Sequence, residues 1–457
     1  MRSLLAGVPF VLCIALCAAV RAAPPSDAEL GARVDAIAAA SMAEPNAVGL
    51  SVAVARGDKV IVSKGYGKAD LEFAVPMDAQ TMLRIGSVTK QFSAAAAMKL
   101  VEQGKLSLDD TLDKMLPEFP ATGPVTLRHI LNHTSGIWSY TQDGAFMKRE
   151  ASLELTPAEL VATFKDRPLE FQPGTKWNYS NSAYYLLGEI VARASGRSYA
   201  QYVQEEFFTT LGLDRTRYES NREVMRNRAQ GYGFEEGVLV NDRPIGPDVP
   251  GAAGALLSNA EGLVRWSLAL AGGKVVSADS YAQMTTPGVL PDGNGTEYGF
   301  GLGIDTWEKR KRISHGGGIF GFSSMLAYLP DDKVTVAVIS NCDAFNPGRV
   351  ADSIMRAALG LTEFVALDLP VHAAEASRFA GEYASEEVPF EISIVERAGQ
   401  VFAQSPGQRE TRLLYQGKGE FRPDFDHQVR IVFPAGDGPA AGLVLHQGGE
   451  LAAKRKP

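Results

Sequence analysis

Cysteine is nearly absent from this sequence. The 457 residues include three cysteines, and two of them, Cys13 and Cys17, lie in an apolar N-terminal stretch. If that stretch is removed, Cys342 remains alone and cannot form an internal disulfide. A cysteine nucleophile would need a histidine and an orienting partner, and no such set accompanies Cys342. We therefore expect Cys342 to be a buried structural thiol.

Histidine is also scarce, and its spacing does not indicate a metal site. The six histidines lie at positions 129, 133, 315, 372, 427 and 446. None of them belongs to a metal-ligand pattern such as H-E-x-x-H. His129 and His133 are four residues apart, so they could share a helix face, and we expect a packing role for them. The sequence predicts neither a metal nor an organic cofactor.

Long apolar runs are missing after the N-terminus, so the mature chain is not expected to insert in a membrane. Residues 1–22 resemble a cleavable signal peptide: Arg2 is followed by an apolar run over 4–20 and by the small-residue site Val20-Arg21-Ala22. A retained anchor and a lipid anchor on Cys13 or Cys17 are the alternatives. The prediction is a secreted or periplasmic protein.

Positive charge is in deficit. The formal net charge is −8, and removal of residues 1–22 leaves 43 basic against 53 acidic residues. This balance argues against nucleic acid as a partner and against electrostatic attachment to anionic membranes. A small-molecule or peptide substrate is the expected partner. With 45% hydrophobic residues the chain can form a large core, and its length predicts two or three structural units.

The most informative feature present is the segment Ser87-Val88-Thr89-Lys90. A serine and a lysine three residues apart share one helix face, and the alanine-rich run 91–100 predicts a helix here. The serine would then lie near free backbone N–H groups at the helix N-terminus. A nearby lysine can remove the hydroxyl proton, so the pattern suits acyl transfer. Alone, the motif is common on helix surfaces.

A second candidate segment is Tyr179-Ser180-Asn181, which follows a turn at Pro173-Gly174 and precedes the apolar run 184–191. Tyr179 and Asn181 could both point into one cleft. A phenol beside an ammonium has its charged form favoured, and it could exchange a proton with Ser87. The alternative is a half-buried aromatic residue followed by a helix-cap residue.

A third candidate segment is His315-Gly316-Gly317-Gly318, which precedes predicted strands at 322–329 and 334–339. Glycines on an edge strand allow a substrate backbone to approach and leave N–H groups free to donate. Gly316, Gly318 and Gly321 also spell G-x-G-x-x-G. We reject a dinucleotide site, because a strand rather than a helix follows.

In order and spacing, these segments resemble the penicillin-recognising serine hydrolases, and specifically the class C β-lactamase-like branch. That branch includes class C β-lactamases, D-aminopeptidases, D,D-peptidases and related esterases. The resemblance covers roughly residues 28–361 and includes a Leu-Leu-x-His-Thr-Ser-Gly-like loop at 130–137. The matching residues are Ser87 and Lys90 for Ser-x-x-Lys, Tyr179 and Asn181 for Tyr-x-Asn, and His315 and Gly317 where many members carry Lys-Thr-Gly.

The resemblance implies a mechanism. Ser87 would attack a carbonyl and form an acyl-enzyme, which water would later release. Lys90 and Tyr179 would manage the serine proton, and which of them is the formal base stays open. Asn181 would orient Lys90 or the acyl side chain. The backbone N–H groups of Ser87 and Gly318 would form the oxyanion hole.

One departure from the family pattern bears on the substrate. His315 stands where a lysine ammonium attracts a carboxylate, and an unperturbed imidazole is mostly neutral near pH 7. The sequence therefore predicts an esterase or a peptidase of D-amino-acid type, acting on esters or on amides without a free carboxylate. The alternative is a class C-type β-lactamase, or a D,D-carboxypeptidase or penicillin-binding sensor that deacylates slowly and takes a cell-wall-derived substrate.

The predicted fold class is α+β: an antiparallel sheet flanked by helices, with a mostly helical subdomain, as in the β-lactamase/transpeptidase fold. The hydrolase domain is expected over 24–361 and a small β-barrel, lipocalin-like accessory domain over 375–457. The accessory domain could shape the cleft, mediate dimers or bind a ligand. The supporting patterns are capping boxes at 26–29, 156–159 and 258–261, strands at 50–55, 60–64, 298–305 and 312–315, and a helix at 352–359.

Overall fold

A computed structural model describes residues 24–119, 123–361, 368–371, 373–385, 391–397, 399–405, 410–423, 429–436, 438–446 and 450–456. The predicted signal peptide at 1–22 lies outside these residues. No helix in these ranges combines the length and the apolar character that crossing a bilayer requires.

The first part of the chain is a mixture of strands and helices. The strands are β1 (Gly49–Arg56), β2 (Lys59–Asp70), β3 (Val75–Pro76), β4 (Leu83–Arg84), β5 (Arg217–Tyr218), β6 (Tyr232–Glu235), β7 (Val238–Asn241), β8 (Leu256–Ser258), β9 (Gly303–Trp307), β10 (Arg310–Ile319), β11 (Phe322–Leu329) and β12 (Val334–Ser340).

The α-helices are α1 (Asp27–Ser41), α2 (Thr89–Glu102), α3 (Leu112–Met115), α4 (Leu127–Leu131), α5 (Gly144–Arg149), α6 (Pro157–Ala162), α7 (Asn181–Ser195), α8 (Tyr199–Val203), α9 (Gly251–Gly254), α10 (Ala260–Ala271), α11 (Ala278–Met284), α12 (Pro347–Leu359) and α13 (Ala373–Phe379). Two 3₁₀ turns (Gly86–Val88 and Tyr140–Gln142) and a π-helical turn (Gln204–Thr209) accompany them.

The main sheet has seven antiparallel strands in the order β3-β2-β1-β12-β11-β10-β9. Strands from both ends of the hydrolase region therefore meet in one sheet, as the sequence predicted. The strands predicted at 50–55, 60–64, 312–315 and 334–339 are present and somewhat longer, and the one at 322–329 has the predicted bounds.

The sheet is covered on both faces, which explains why all seven residues of β12 are buried. Side chains of a strand point alternately to opposite faces. Val336 and Val338 accordingly pack with Ile354 of α12 in one core cluster. Ala337 and Ile339 pack in the other cluster, together with helix α10. The result is a three-layer arrangement of helices, sheet and helices.

Two local predictions are wrong. The capping box predicted at 258–261 would make Ser258 the N-cap of α10. The N-cap is instead Asn259, whose side chain accepts from the Gly262 N–H, and Ser258 is the last residue of β8. The strand predicted at 298–305 begins only at Gly303. Gly301 has φ +69° and lies so close to the Lys90 carbonyl that a Cβ would be 2.5 Å away. This positive φ interrupts the extended backbone before β9.

The capping boxes that open α1 at Ser26 and α6 at Thr156 are present as predicted. The run 91–100 lies inside α2, and the predicted helix at 352–359 is the second half of α12. Cys342 is buried, as expected for a structural thiol.

The C-terminal part is a closed barrel of eight antiparallel strands. Its interior contains Phe379, Tyr383, Phe421 and Phe433, which are buried and contact one another through their rings. The fold class predicted from sequence is confirmed, while the domain limits 24–361 and 375–457 stay predictions. The barrel strands are β13 (Gly381–Ala384), β14 (Glu391–Arg397), β15 (Gln400–Gln404), β16 (Thr411–Gly417), β17 (Glu420–Pro423), β18 (Arg430–Val432), β19 (Gly442–His446) and β20 (Glu450–Arg455).

Candidate active site

Ser87 and Lys90 lie where a 3₁₀ turn runs into the N-terminus of α2. The Lys90 amine donates to Ser87 Oγ at 3.1 Å. It also donates to Asn181 Oδ1 and to the Ala253 carbonyl, each at 2.8 Å. Burial lowers the pKa of Lys90 well below its usual value, because the charged form loses hydration. The serine therefore faces an amine that gives up its proton more readily than an exposed lysine does.

Tyr179 completes the surroundings of the serine. Its phenol lies beside Ser87, whose side chain acts to lower the phenol pKa, and the Lys90 amine lies 4.7 Å from the centre of the Tyr179 ring. Contrary to our expectation, the lysine does not favour the phenolate: burial dominates and raises the pKa of Tyr179 above its ordinary value. Tyr179 is therefore a protonated phenol at neutral pH.

Helix capping explains how Tyr179 and Asn181 reach the same place. Ser180 is the N-cap of α7, and its side chain accepts from the Ala183 N–H. Tyr179 therefore precedes the helix, while Asn181 is its first residue. Besides accepting from the lysine, Asn181 donates through Nδ2 to Thr141 Oγ1 at 3.0 Å, so the orientation of its amide is set.

Strand β10 lies directly against the turn that carries Ser87. A Cβ on Gly317 would be 2.0 Å from the Ile85 carbonyl oxygen, and a Cβ on Gly86 would be 3.0 Å from the Gly318 nitrogen. Gly317 is thus required for packing against the segment before Ser87. Gly318 itself lines the same cavity as Ser87.

His315 is held by partners within the protein. Its Nδ1 lies 2.6 Å from the Gly316 carbonyl, which can only accept, so Nδ1 carries the proton. Its Nε2 lies 2.8 Å from the Tyr298 hydroxyl and therefore accepts from it. Burial, aided by the nearby Lys90 charge, lowers the pKa of His315 to about 4. The imidazole is neutral, and both of its nitrogens are engaged.

The structure places His129 and His133, which could have shared a helix face, in different local structures. His129 lies in α4, which ends at Leu131. His133 follows with φ +62° and is completely buried. Its ring centre lies 4.2 Å from that of Tyr179 and 4.8 Å from that of Tyr298. The packing role predicted for His133 is confirmed, but the packing is against the candidate catalytic tyrosine.

A cavity of about 390 Å³ adjoins Ser87. Asn181 and Gly318 also line it, whereas Gly317 and His315 are not among its lining residues. Asp343 is the one charged residue of this lining. No sequence signal pointed to the apolar wall or to Tyr298, since both come from distant segments. The apolar lining residues are Met147, Ile245, Val249, Pro250, Ala253, Ile319 and Phe320.

Within the described residues, no group of three or more His, Cys, Asp or Glu side chains could hold a metal ion.

Comparison with known proteins agrees with this geometry. The family model described as Beta-lactamase matches residues 34–360. Penicillin-binding protein 4* of Bacillus subtilis is 27% identical over 432 residues, which cover 87% of this chain and 93% of that protein. The D-aminopeptidase of Gluconobacter oxydans is 28% identical over 72% of this chain, and the match spans 62% of that protein.

Among solved structures, the octameric penicillin-binding protein homologue from Pyrococcus abyssi is 26% identical, with a TM-score of 0.68. The superposition covers 93% of this chain and 99% of that one. Fold, sequence match and the serine–lysine geometry therefore agree: the chain belongs to the Beta-lactamase family and is a serine hydrolase.

Proposed function

We propose that the protein hydrolyses esters, or small amides of the D-amino-acid type, whose leaving group carries no free carboxylate. Ser87 would be the nucleophile of an acyl-enzyme. The observation that carries this proposal is the contact of Ser87 Oγ with a buried, weakly basic Lys90 amine. The D-aminopeptidase relative supports the amide branch of the proposal.

The hydrogen bonds of Lys90 favour it over Tyr179 as the base. A neutral amine has two N–H groups and one lone pair. If the N–H groups stay on Asn181 and Ala253, the lone pair faces Ser87 Oγ and can take its proton as the hydroxyl attacks. Tyr179, which burial keeps protonated, would then pass a proton to the leaving group and regain it from Lys90.

The acyl part of the substrate would occupy the cavity beside Ser87. At roughly 30 Å³ per water-sized unit, its volume of about 390 Å³ holds about a dozen non-hydrogen atoms. The mostly apolar wall favours an apolar side chain on the acyl part, because a buried unpaired charge is costly. The backbone N–H groups of Ser87 and Gly318 are our candidates for the oxyanion hole.

The leaving-group preference rests on His315. An ammonium 4 Å from a carboxylate contributes about 4 kcal/mol at an effective dielectric constant near 20, which is about a thousandfold in affinity. The neutral imidazole, with both nitrogens engaged, offers no such attraction. A β-lactam or peptide carboxylate would therefore lose the interaction that Lys-Thr-Gly enzymes offer.

The second candidate is a penicillin-binding protein that becomes acylated at Ser87 but deacylates slowly, with a cell-wall-derived peptide as substrate. The observation that favours it is the similarity to penicillin-binding protein 4* along 87% of this chain.

A substrate panel on the purified protein separates these candidates. It would contain p-nitrophenyl esters, D-amino-acid amides and a chromogenic cephalosporin. We expect multiple turnovers on an ester and slower hydrolysis of the cephalosporin. Faster cephalosporin hydrolysis would overturn the proposed preference, and a single stoichiometric burst without turnover would favour the binding protein.

The nucleophile is tested with the same assay. We expect Ser87→Ala to abolish turnover and labelling by a serine-directed phosphonate, because no other hydroxyl contacts Lys90 in the described structure. Ser107→Ala, an exposed serine, is the control and should behave as wild type. Turnover by Ser87→Ala would refute the assignment.

We also propose that residues 1–22 direct export and are removed. The family match, which starts only at residue 34, is compatible with this. N-terminal sequencing of the exported product should begin at Ala23, and retention of Met1 would contradict the proposal.

A further inference from the structure

His133 adopts a backbone conformation that a histidine rarely takes. Its φ of +62° lies in the left-handed region, which is unfavourable for most residues with a side chain. Its imidazole is completely buried, and Nε2 has no hydrogen-bond partner in the described structure. Both features destabilise the fold, and such costs often mark a functional position.

Two hydrogen bonds connect His133 to the residues on either side of Tyr179. The Asn178 N–H donates to the His133 carbonyl at 2.9 Å. The Ser180 N–H donates to His133 Nδ1 at 3.2 Å. Tyr179 therefore lies between two backbone anchors provided by one residue. The left-handed conformation is the backbone geometry in which the carbonyl and the ring of His133 make both bonds.

The His133 ring also limits the movement of the tyrosine ring. Its centre lies 4.2 Å from the centre of the Tyr179 ring, with 39° between the two planes. On its other sides the imidazole contacts the rings of Tyr184 and Tyr298. Replacing His133 would thus remove restraints on both the backbone around Tyr179 and its ring.

We propose that His133 is a positioning residue that holds the Tyr179 phenol in place beside Ser87. The inference rests on the proposed function, since it assumes that Tyr179 takes part in proton transfer. His133 does not reach Ser87 itself, and it must stay neutral, because a protonated Nδ1 could not accept from the Ser180 N–H. Burial and the Lys90 charge keep its pKa well below the usual value.

Three substitutions separate the hydrogen bond from the ring contact. His133→Asn tolerates a positive φ and offers Oδ1 as an acceptor for the Ser180 N–H. His133→Phe keeps an aromatic ring but has no acceptor. His133→Ala lacks both. The readouts are the single-turnover rate of Ser87 acylation by a p-nitrophenyl ester, KM and the melting temperature.

We expect His133→Ala and His133→Phe to acylate about 10²-fold more slowly at nearly unchanged KM, as for a catalytic group displaced by about 1 Å. His133→Asn should recover at least about tenfold of this loss. His129→Asn is the matched control, because His129 also accepts a backbone N–H through Nδ1, from Thr126. Since the described ring contacts of Tyr179 do not include His129, the acylation rate of this variant should equal that of the wild type.

The proposal is wrong if a folded His133→Ala or His133→Phe variant acylates at the wild-type rate, or if His133→Asn is as slow as His133→Phe at the same melting temperature. If His133→Ala does not fold, the comparison of Asn with Phe still decides. Failure of the proposed function would show separately, as turnover by Ser87→Ala.

Discussion

At the residue scale, burial shifts the pKa values of Lys90 and Tyr179 in opposite directions. It lowers the pKa of Lys90 and raises that of Tyr179, because in each case the charged form is disfavoured. Both groups are thereby neutral over a wider pH range than in water. Around one hydroxyl, a neutral amine can accept a proton and a neutral phenol can donate one.

The first prediction concerns Lys90. As pH rises, the Lys90 ammonium loses its proton and becomes a base, so kcat/KM should rise with pH. The midpoint of this rise should lie well below the ordinary lysine pKa. Lys90→Met should lose at least about 10²-fold in kcat/KM, the usual scale for a proton-transfer group. The measurement is the pH profile of ester hydrolysis.

The matched control for this prediction is Lys99→Met, since Lys99 is on the same helix and donates to the Val275 carbonyl instead of to Ser87. It should keep the wild-type profile. If a Lys90→Met variant kept near-normal activity and the same rise of kcat/KM with pH, another group would be responsible for that rise.

At the element scale, the site depends on the contact between β10 and the turn before α2. Gly317 faces the Ile85 carbonyl, which also accepts from the Ser324 hydroxyl of the neighbouring strand β11 at 2.8 Å. A backbone atom cannot move aside as a flexible side chain can. The absence of a side chain at Gly317 therefore sets the distance between β10 and the turn that carries Ser87.

The second prediction follows from that contact. Gly317→Ala would place its Cβ 2.0 Å from the Ile85 oxygen, so β10 must shift. We expect a loss of about 1–3 kcal/mol in the free energy of unfolding, typical of overpacking, and at least a tenfold loss in kcat/KM. Thermal unfolding and ester hydrolysis measure the two effects.

Gly316→Ala is the control on the same strand, because its Cβ would meet its nearest atoms at an ordinary 3.8 Å. It should fold and react nearly as wild type. Equal behaviour of the two alanine variants would show that the contact does not determine the site geometry.

At the scale of the whole molecule, the barrel has a hydrophobic core of its own. The cluster containing Phe379, Tyr383, Phe421 and Phe433 does not merge with the two clusters around the seven-stranded sheet. Aromatic side chains occupy the interior of the barrel. A cavity of about 230 Å³ is lined in part by Val401, Leu413 and Phe421 of this core, so the ligand-binding role that the sequence left open stays a prediction.

The third prediction tests this view of the barrel. Phe421→Ala should cost about 3–5 kcal/mol of local stability, the usual range for a buried phenylalanine. Because the core clusters are separate, we expect a new low-temperature transition in calorimetry and unchanged ester hydrolysis at 25 °C. Phe73→Ala, which is 80% exposed, is the control. Loss of hydrolysis in folded Phe421→Ala would assign the barrel a role at the site.

Patterns within short segments were sufficient for much of the fold. The residues of 322–329 predicted β11, the capping boxes located the starts of α1 and α6, and three motifs pointed to the family. Prediction failed at 298–302, where the left-handed Gly301 interrupts the strand because the backbone must pass close to Lys90.

By itself, the sequence determined which chemical groups are available and that Ser87 and Lys90 share a helical turn, since both follow from neighbours along the chain. Only the tertiary structure decided the directions in which the pKa values of Lys90 and Tyr179 shift, the hydrogen bonds of His315 and the contacts between His133 and the segment around Tyr179. These properties depend on burial and on contacts between segments far apart in sequence. The physical reason is that hydration and hydrogen bonding respond to neighbours in space, which the order of residues does not specify directly.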